Sequence, residues 1–330
     1  MDLISEKIEK WIPSKLDQTN INNLLLKIYT FSLGIDFSPV ICQFNNRIKE
    51  INYNFLPGST SSGAICFFGS IIMSLLQVGR INNIEELFTF SSCYILTDHY
   101  LDDDTISMND KIDTIKKITK FIGDNKPQTV KPQTVKSQTI DSPIIQAVAD
   151  KYIKMITNIP NSNHYLKELF RAEVKTMHLQ TQNNLSRDEY LYICEWKGGL
   201  TCNAIQSLIG LEITDTEYIL GACIQLVDDM LDINDDIKLK INSIATYDYR
   251  KDGKLDKLLI YTVNRIDNMN RKYNFFKPIL LLGLILAVHT NRDKYSSEML
   301  NIIEPYVHYD HETTKDELFG WFQHKIETYN

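Results

Sequence analysis

Apolar residues recur at three- and four-residue spacing along most of the chain, and period-two alternation bounded by turn pairs is nearly absent. Such a chain can bury one stripe per helix but has no strands to pair, so the pattern predicts an all-α protein. Leu24, Leu25, Ile28, Tyr29 and Leu33 share one helical face, as do Ile71, Ile72, Leu75 and Leu76, which follow the turn Pro57-Gly58-Ser59. Further helical patterns cover 84–102, 144–156, 165–180, 187–198, 216–233, 255–273, 279–288 and 296–303. Ser186, followed by Asp188 and Glu189, is read as the capped start of one of them. The 330 residues would fill two average domains or one large helical domain with room to enclose an apolar ligand.

One stretch departs from the pattern. Lys126-Pro127-Gln128-Thr129-Val130 repeats as Lys131-Pro132-Gln133-Thr134-Val135 and degenerates into Lys136-Ser137-Gln138-Thr139-Ile140. Its prolines and polar residues cannot form a packed helix, so 124–143 is expected to be a solvated loop between helices. The net charge is −7, with no clustered Lys and Arg of the kind that nucleic-acid phosphates demand. The longest apolar run, 279–288, falls far short of the ~20 residues that span a bilayer. The six cysteines form no CxxC and keep no zinc spacing to His, as expected of a reduced intracellular chain. The N-terminus lacks the basic start and apolar block of a signal peptide, and a cytoplasmic location is expected.

Two acidic clusters carry the chemistry. In the first, Asp98 and Asp102 lie four apart at the end of an apolar helix. In the second, Asp228, Asp232 and Asp236 repeat at the same spacing after another apolar helix. Like charges at i,i+4 share a face and destabilise a helix by a few tenths of a kcal/mol per pair. Either these are solvated helix ends, or a cation compensates them. The recurrence of one spacing in both clusters favours the cation, and oxygen-only donors favour Mg2+ completed by water and phosphate oxygens. Neither cluster has the Gly-centred spacing of a calcium loop. A diphosphate head on an apolar tail would suit carboxylates placed at the ends of apolar helices. Because the two clusters need each other to hold metal, residues 1–330 are read as one helical domain.

Asp98-His99-Tyr100-Leu101-Asp102 and Gln225-Leu226-Val227-Asp228-Asp229-Met230-Leu231-Asp232 together resemble the acidic motifs of trans-isoprenyl diphosphate synthases and the related class I terpene synthases. Glu195-Trp196-Lys197-Gly198-Gly199-Leu200 is similar to their helix carrying a diphosphate-binding lysine. The run from Asp248 to Lys254 is similar to the segment after their second motif. The likeness covers roughly residues 60–265. It implies an all-α bundle around a deep apolar cavity, three Mg2+ ions bound by Asp98, Asp102, Asp228, Asp232 and Asp236, and possible homodimerisation. The first motif departs from DDxxD, with His99 in place of the second Asp, while the two Asp that usually bind metal remain. His99 is read as a neighbour of the site or, less simply, as a base.

Elongating synthases hold a second diphosphate with a basic GGKRxRP-like segment and an Arg pair after the first motif. Here residues 56–63 and 105–109 contain no Lys or Arg. A second diphosphate would lack cationic partners, and unpaired buried charge is costly. The departure favours cyclisation of one allylic diphosphate, farnesyl diphosphate by preference. An elongating synthase with an unusual second site, or a non-catalytic partner subunit, remains a rival. Lys197, Lys240, Arg250 and Lys254 are the candidate diphosphate partners, and Arg292 with Tyr295 is a loose match to the Arg-Tyr pair of many microbial terpene synthases. Phe68, Phe90, Tyr94 and Trp196 are candidate aromatic walls for a carbocation, or ordinary core, with Gln225 beside the second motif. In the synthases a bulky residue before the first motif limits chain length. Tyr94 would thus set a pocket for ten or fifteen carbons, although the small Cys93 leaves room for longer substrates.

Overall fold

The computed structural model describes residues 2–10, 83–103, 105–124, 143–159, 162–180, 182, 184–274 and 276–306. Among these residues the secondary structure is helical, with no strand. No helix among them is long and apolar enough to cross a membrane. The expected helices before residue 83, the repeat loop, Phe68 and the segment 56–63 lie outside the described residues.

Contacts divide the chain into two compact units. One takes in Met1–Asn54, Ser186–Glu195 and Ala222–Asn330, and the other Phe55–Leu185 and Trp196–Gly221. In the second unit, α2 (Ile84–Asp102) packs on α4 (Pro143–Asn158), and α3 (Met108–Asp124) packs on α4 and α5 (Ser162–Gln180). Helix α3 was not anticipated. Its apolar stripe is thin, yet Ile112, Ile115 and Ile118 are all buried, three residues apart on one face.

Helix α6 (Arg187–Leu208) starts where expected. Ser186 and Glu189 form a reciprocal cap: Glu189 Oε2 accepts from the Ser186 N–H and hydroxyl at 2.8 Å each, and Ser186 Oγ accepts from the Glu189 N–H. Those donors hold the Glu189 carboxyl below its ordinary range. The helix continues ten residues beyond the expected end at Gly198. A glycine pair costs a helix roughly 1 kcal/mol per residue relative to alanine. Here it lies against α7 (Asp215–Leu231). A Cβ on Gly199 would meet the Tyr218 ring at 2.4 Å, and one on Gly221 would lie 2.1 Å from the Gly198 carbonyl oxygen. The far end of α6 is tied down by Asn83, whose side-chain amide donates to the Leu208 carbonyl at 2.6 Å.

In the first unit, α8 (Ile233–Leu239) follows α7 after a break at Asp232 and packs on α9 (Ile244–Asp252). The segment 255–273, expected as one helix, is α10 (Asp256–Asp267) followed by a turn and a short 3₁₀ segment. The stop has a visible cause: the Lys277 ammonium donates to the last carbonyl of α10, at Asp267, and Asn270 caps the next turn. Helix α10 packs on α1 (Asp2–Glu9), α9 and α11 (Phe276–Thr290), and α12 (Ser297–Ile303) packs on α1 and α11.

Candidate functional site

Asp98 and Asp102 both belong to the last turns of α2, as the spacing predicts. Their side chains, and that of His99, lie outside those described. Beyond them Asp103 is exposed and accepts from the Thr105 N–H (2.9 Å) and hydroxyl (2.6 Å), which holds its carboxyl below the ordinary range. This local turn ends the acidic run.

One to two turns earlier on α2, Phe90 is buried and its ring stacks on Tyr94, with centroids 5.6 Å apart. The Tyr94 hydroxyl lies 3.5 Å from Glu173 Oε1 of α5 and 3.4 Å from Thr201 Oγ1 of α6. Lys197 of α6 approaches the other oxygen of Glu173 at 3.4 Å. Two candidates from distant parts of the sequence, Tyr94 and Lys197, thus meet at one carboxylate. Glu173 is buried, as are Leu169, Phe170, Ala172 and Met177 of the same helix. Sequence reasoning missed it. The available signal was a lone acid on an otherwise apolar helix face. Trp196 is half-buried, and the Lys175 ammonium sits 5.0 Å from its ring centroid, a cation–π contact.

The second cluster keeps its spacing through the break between α7 and α8. The Asp232 N–H donates to the Asp228 carbonyl at 3.0 Å, and the Asp236 N–H to the Asp232 carbonyl at 2.9 Å. The three residues therefore remain one helical turn apart. Asp228 and Asp232 are exposed and Asp236 is half-buried. Gln225 Nε2 donates to Asp228 Oδ2 and Asp229 Oδ1, both at 3.1 Å. On the inner side, burial and the negative field of Asp229 push the Cys194 thiol well above its ordinary value. Hard oxygen donors in contact with solvent fit Mg2+, which keeps part of its water shell. Among the described residues, no three His, Cys, Asp or Glu side chains are already gathered closely enough to enclose a metal.

The basic candidates are placed unequally. Lys240 is exposed at the end of α8 with a left-handed backbone (φ 57), and Arg250 is exposed on α9. Lys254 instead donates to the carbonyls of Asp293 (3.0 Å) and Tyr295 (2.9 Å), so its ammonium secures a turn. Arg292 is exposed and 3.3 Å from Glu304, whereas Tyr295 is buried, and the two face different surroundings.

Among the described residues, one charge network was missed by the sequence reading. Arg265 grips Glu195 with two hydrogen bonds, at 2.9 and 2.6 Å, and the Tyr261 hydroxyl donates to the same carboxylate at 2.5 Å. Burial, and then the bond to Glu195, push Tyr261 up to about 12. A raised value favours the neutral phenol in the folded state. Stability from this contact is therefore intact below the ordinary tyrosine value of about 10 and declines as pH rises toward about 12. Tyr261→Phe is expected to cost about 1 kcal/mol at pH 8. That gap from the unaltered protein should narrow above pH 10, as measured by urea unfolding at both pH values. A gap that stays constant across the range would refute the coupling. A second pairing, Arg187 to the buried Asp248 through contacts of 2.8, 3.1 and 2.8 Å, fixes α9 against the start of α6.

No protein-family model matches the chain, and no curated protein matches it in sequence, so the reading of this site rests on its own residues.

Proposed function

We propose that the protein is a Mg2+-dependent class I terpene synthase that ionises and cyclises one allylic diphosphate, farnesyl diphosphate by preference, and releases diphosphate. The fold proposed with it is the all-α isoprenoid synthase bundle around a deep apolar cavity. The observation that carries the reading is the Asp228, Asp232 and Asp236 stack, whose four-residue repeat persists through a helix break that could have dispersed it. Asp98 and Asp102 would supply the remaining carboxylates for three Mg2+ ions. When bound, magnesium would neutralise charge building up on the leaving diphosphate. Lys197, Lys240 and Arg250 would pair with diphosphate oxygens, and Glu173 would orient Lys197. Lys254 is left out because its ammonium already holds two carbonyls. Phe90 and Tyr94 would present ring faces to the cation and keep water from it.

The test is incubation with Mg2+ and farnesyl diphosphate, alone and with isopentenyl diphosphate, followed by gas chromatography and analysis of the diphosphate esters. A cyclic hydrocarbon or alcohol from the first mixture is expected. A longer diphosphate formed only in the second would establish chain elongation instead. Mg2+-dependent diphosphate binding without turnover in either would establish a non-catalytic subunit.

A further inference from the structure

We propose that Asn291 and Ser243 are positioning residues for the second carboxylate stack, Asn291 by clamping the helix break at Asp232 and Ser243 by holding the Asp236 carboxylate. The inference rests on the magnesium reading above and adds what keeps that ligand set in register.

Asp232 stands between two helices with φ −86 and ψ 2, outside the α region. A break at the middle ligand would let Asp236 swing relative to Asp228 unless both flanks were tied. Asn291, fully buried just after α11, ties both. Its Nδ2 donates to the Met230 carbonyl in the last turn of α7 (3.2 Å) and to the Ala287 carbonyl of α11 (3.0 Å). Its Oδ1 accepts from Asn234 Nδ2 in the first turn of α8 at 2.5 Å. One amide thus engages the helix before the break, the helix after it and the element behind them. A leucine of similar size could make none of these bonds. Helix α11 also packs directly against α7 here, since a Cβ on Gly283 would lie 2.8 Å from Val227 Cγ1, next to Asp228.

Ser243 acts at the other end of the stack. It caps α9, accepting from the Thr246 N–H (3.3 Å) while its own N–H donates to Thr246 Oγ1 (2.8 Å). Its hydroxyl donates to Asp236 Oδ2 at 2.6 Å. This bond fixes the rotation of the Asp236 carboxylate. An aspartate would cap as well but would repel Asp236. Partners that orient metal ligands from behind are typically worth about 10–100-fold in metal affinity.

The test uses the full chain and Mn2+ as a spectroscopic stand-in, titrated in the presence of inorganic diphosphate and read by electron paramagnetic resonance. Ser243→Gly is the deciding variant, because glycine is tolerated at an N-cap nearly as well as serine and leaves the fold in place. It is expected to weaken Mn2+ binding about 10-fold or more, with the melting temperature nearly unchanged, and Ser243→Thr should restore affinity. Asn291→Ala should weaken binding at least as much in the fraction that circular dichroism shows to be folded. Wild-type affinity in Ser243→Gly or in folded Asn291→Ala overturns the role given to that residue. Weakening that Ser243→Thr leaves unrestored also overturns the role of Ser243. If the unaltered protein binds no Mn2+ with diphosphate, the magnesium reading falls and this proposal falls with it.

Discussion

Asp228→Ala is expected to lower turnover of farnesyl diphosphate by at least about 10²-fold, because a metal centre contributes several kcal/mol and each 1.36 kcal/mol is tenfold in rate. The same change should leave thermal stability unchanged or raise it slightly. Asp228 is exposed one helical turn from Asp232, and relief of like-charge repulsion at that spacing is worth a few tenths of a kcal/mol. The opposite signs separate a ligand from a structural residue. Asp228→Asn sharpens the comparison, since an amide oxygen can still accept from Gln225 but carries no charge to hold Mg2+. Activity should be lost in both variants. Wild-type turnover in either would contradict the metal assignment, and a large fall in melting temperature would assign Asp228 to the fold instead.

Gly221→Ala should produce the largest stability loss, about 3 kcal/mol by urea unfolding. The new Cβ would lie 2.1 Å from the Gly198 carbonyl oxygen, 2.7 Å from its carbon and 3.0 Å from Cys202 Cβ. The first two atoms are backbone, so relief requires separating α6 from α7 rather than turning a side chain. Gly210→Ala provides the comparison. That position has a left-handed backbone (φ +77) but open space around it, so only about 1 kcal/mol of conformational strain is expected. Equal losses at the two sites would show that α6 and α7 do not approach so closely.

What the sequence determined by itself is local. Helical periodicity placed α2 at its observed bounds, because burial of Leu87, Phe90 and Cys93 depends only on spacing along one helix. The Ser186 cap was legible for the same reason, as its partner lies three residues away. The four-residue carboxylate repeats were visible too, and backbone hydrogen bonding carries the second through the break.

Tertiary structure decided whatever depends on a partner far along the chain. Local propensity ends a helix at Gly198-Gly199, but the close approach of Gly221 explains glycine there and α6 runs on to Leu208. The break at Asp232 is held by Asn291, some sixty positions away, and no local signal marks that residue. Glu173 acquires its place only because α2, α5 and α6 bring Tyr94, Thr201 and Lys197 to it. Lys254 read as a free cation, yet a turn nearly forty residues later takes up its charge. A one-dimensional pattern records spacing and charge, whereas the use made of a charge depends on which carbonyl or carboxylate packing brings within about 3 Å.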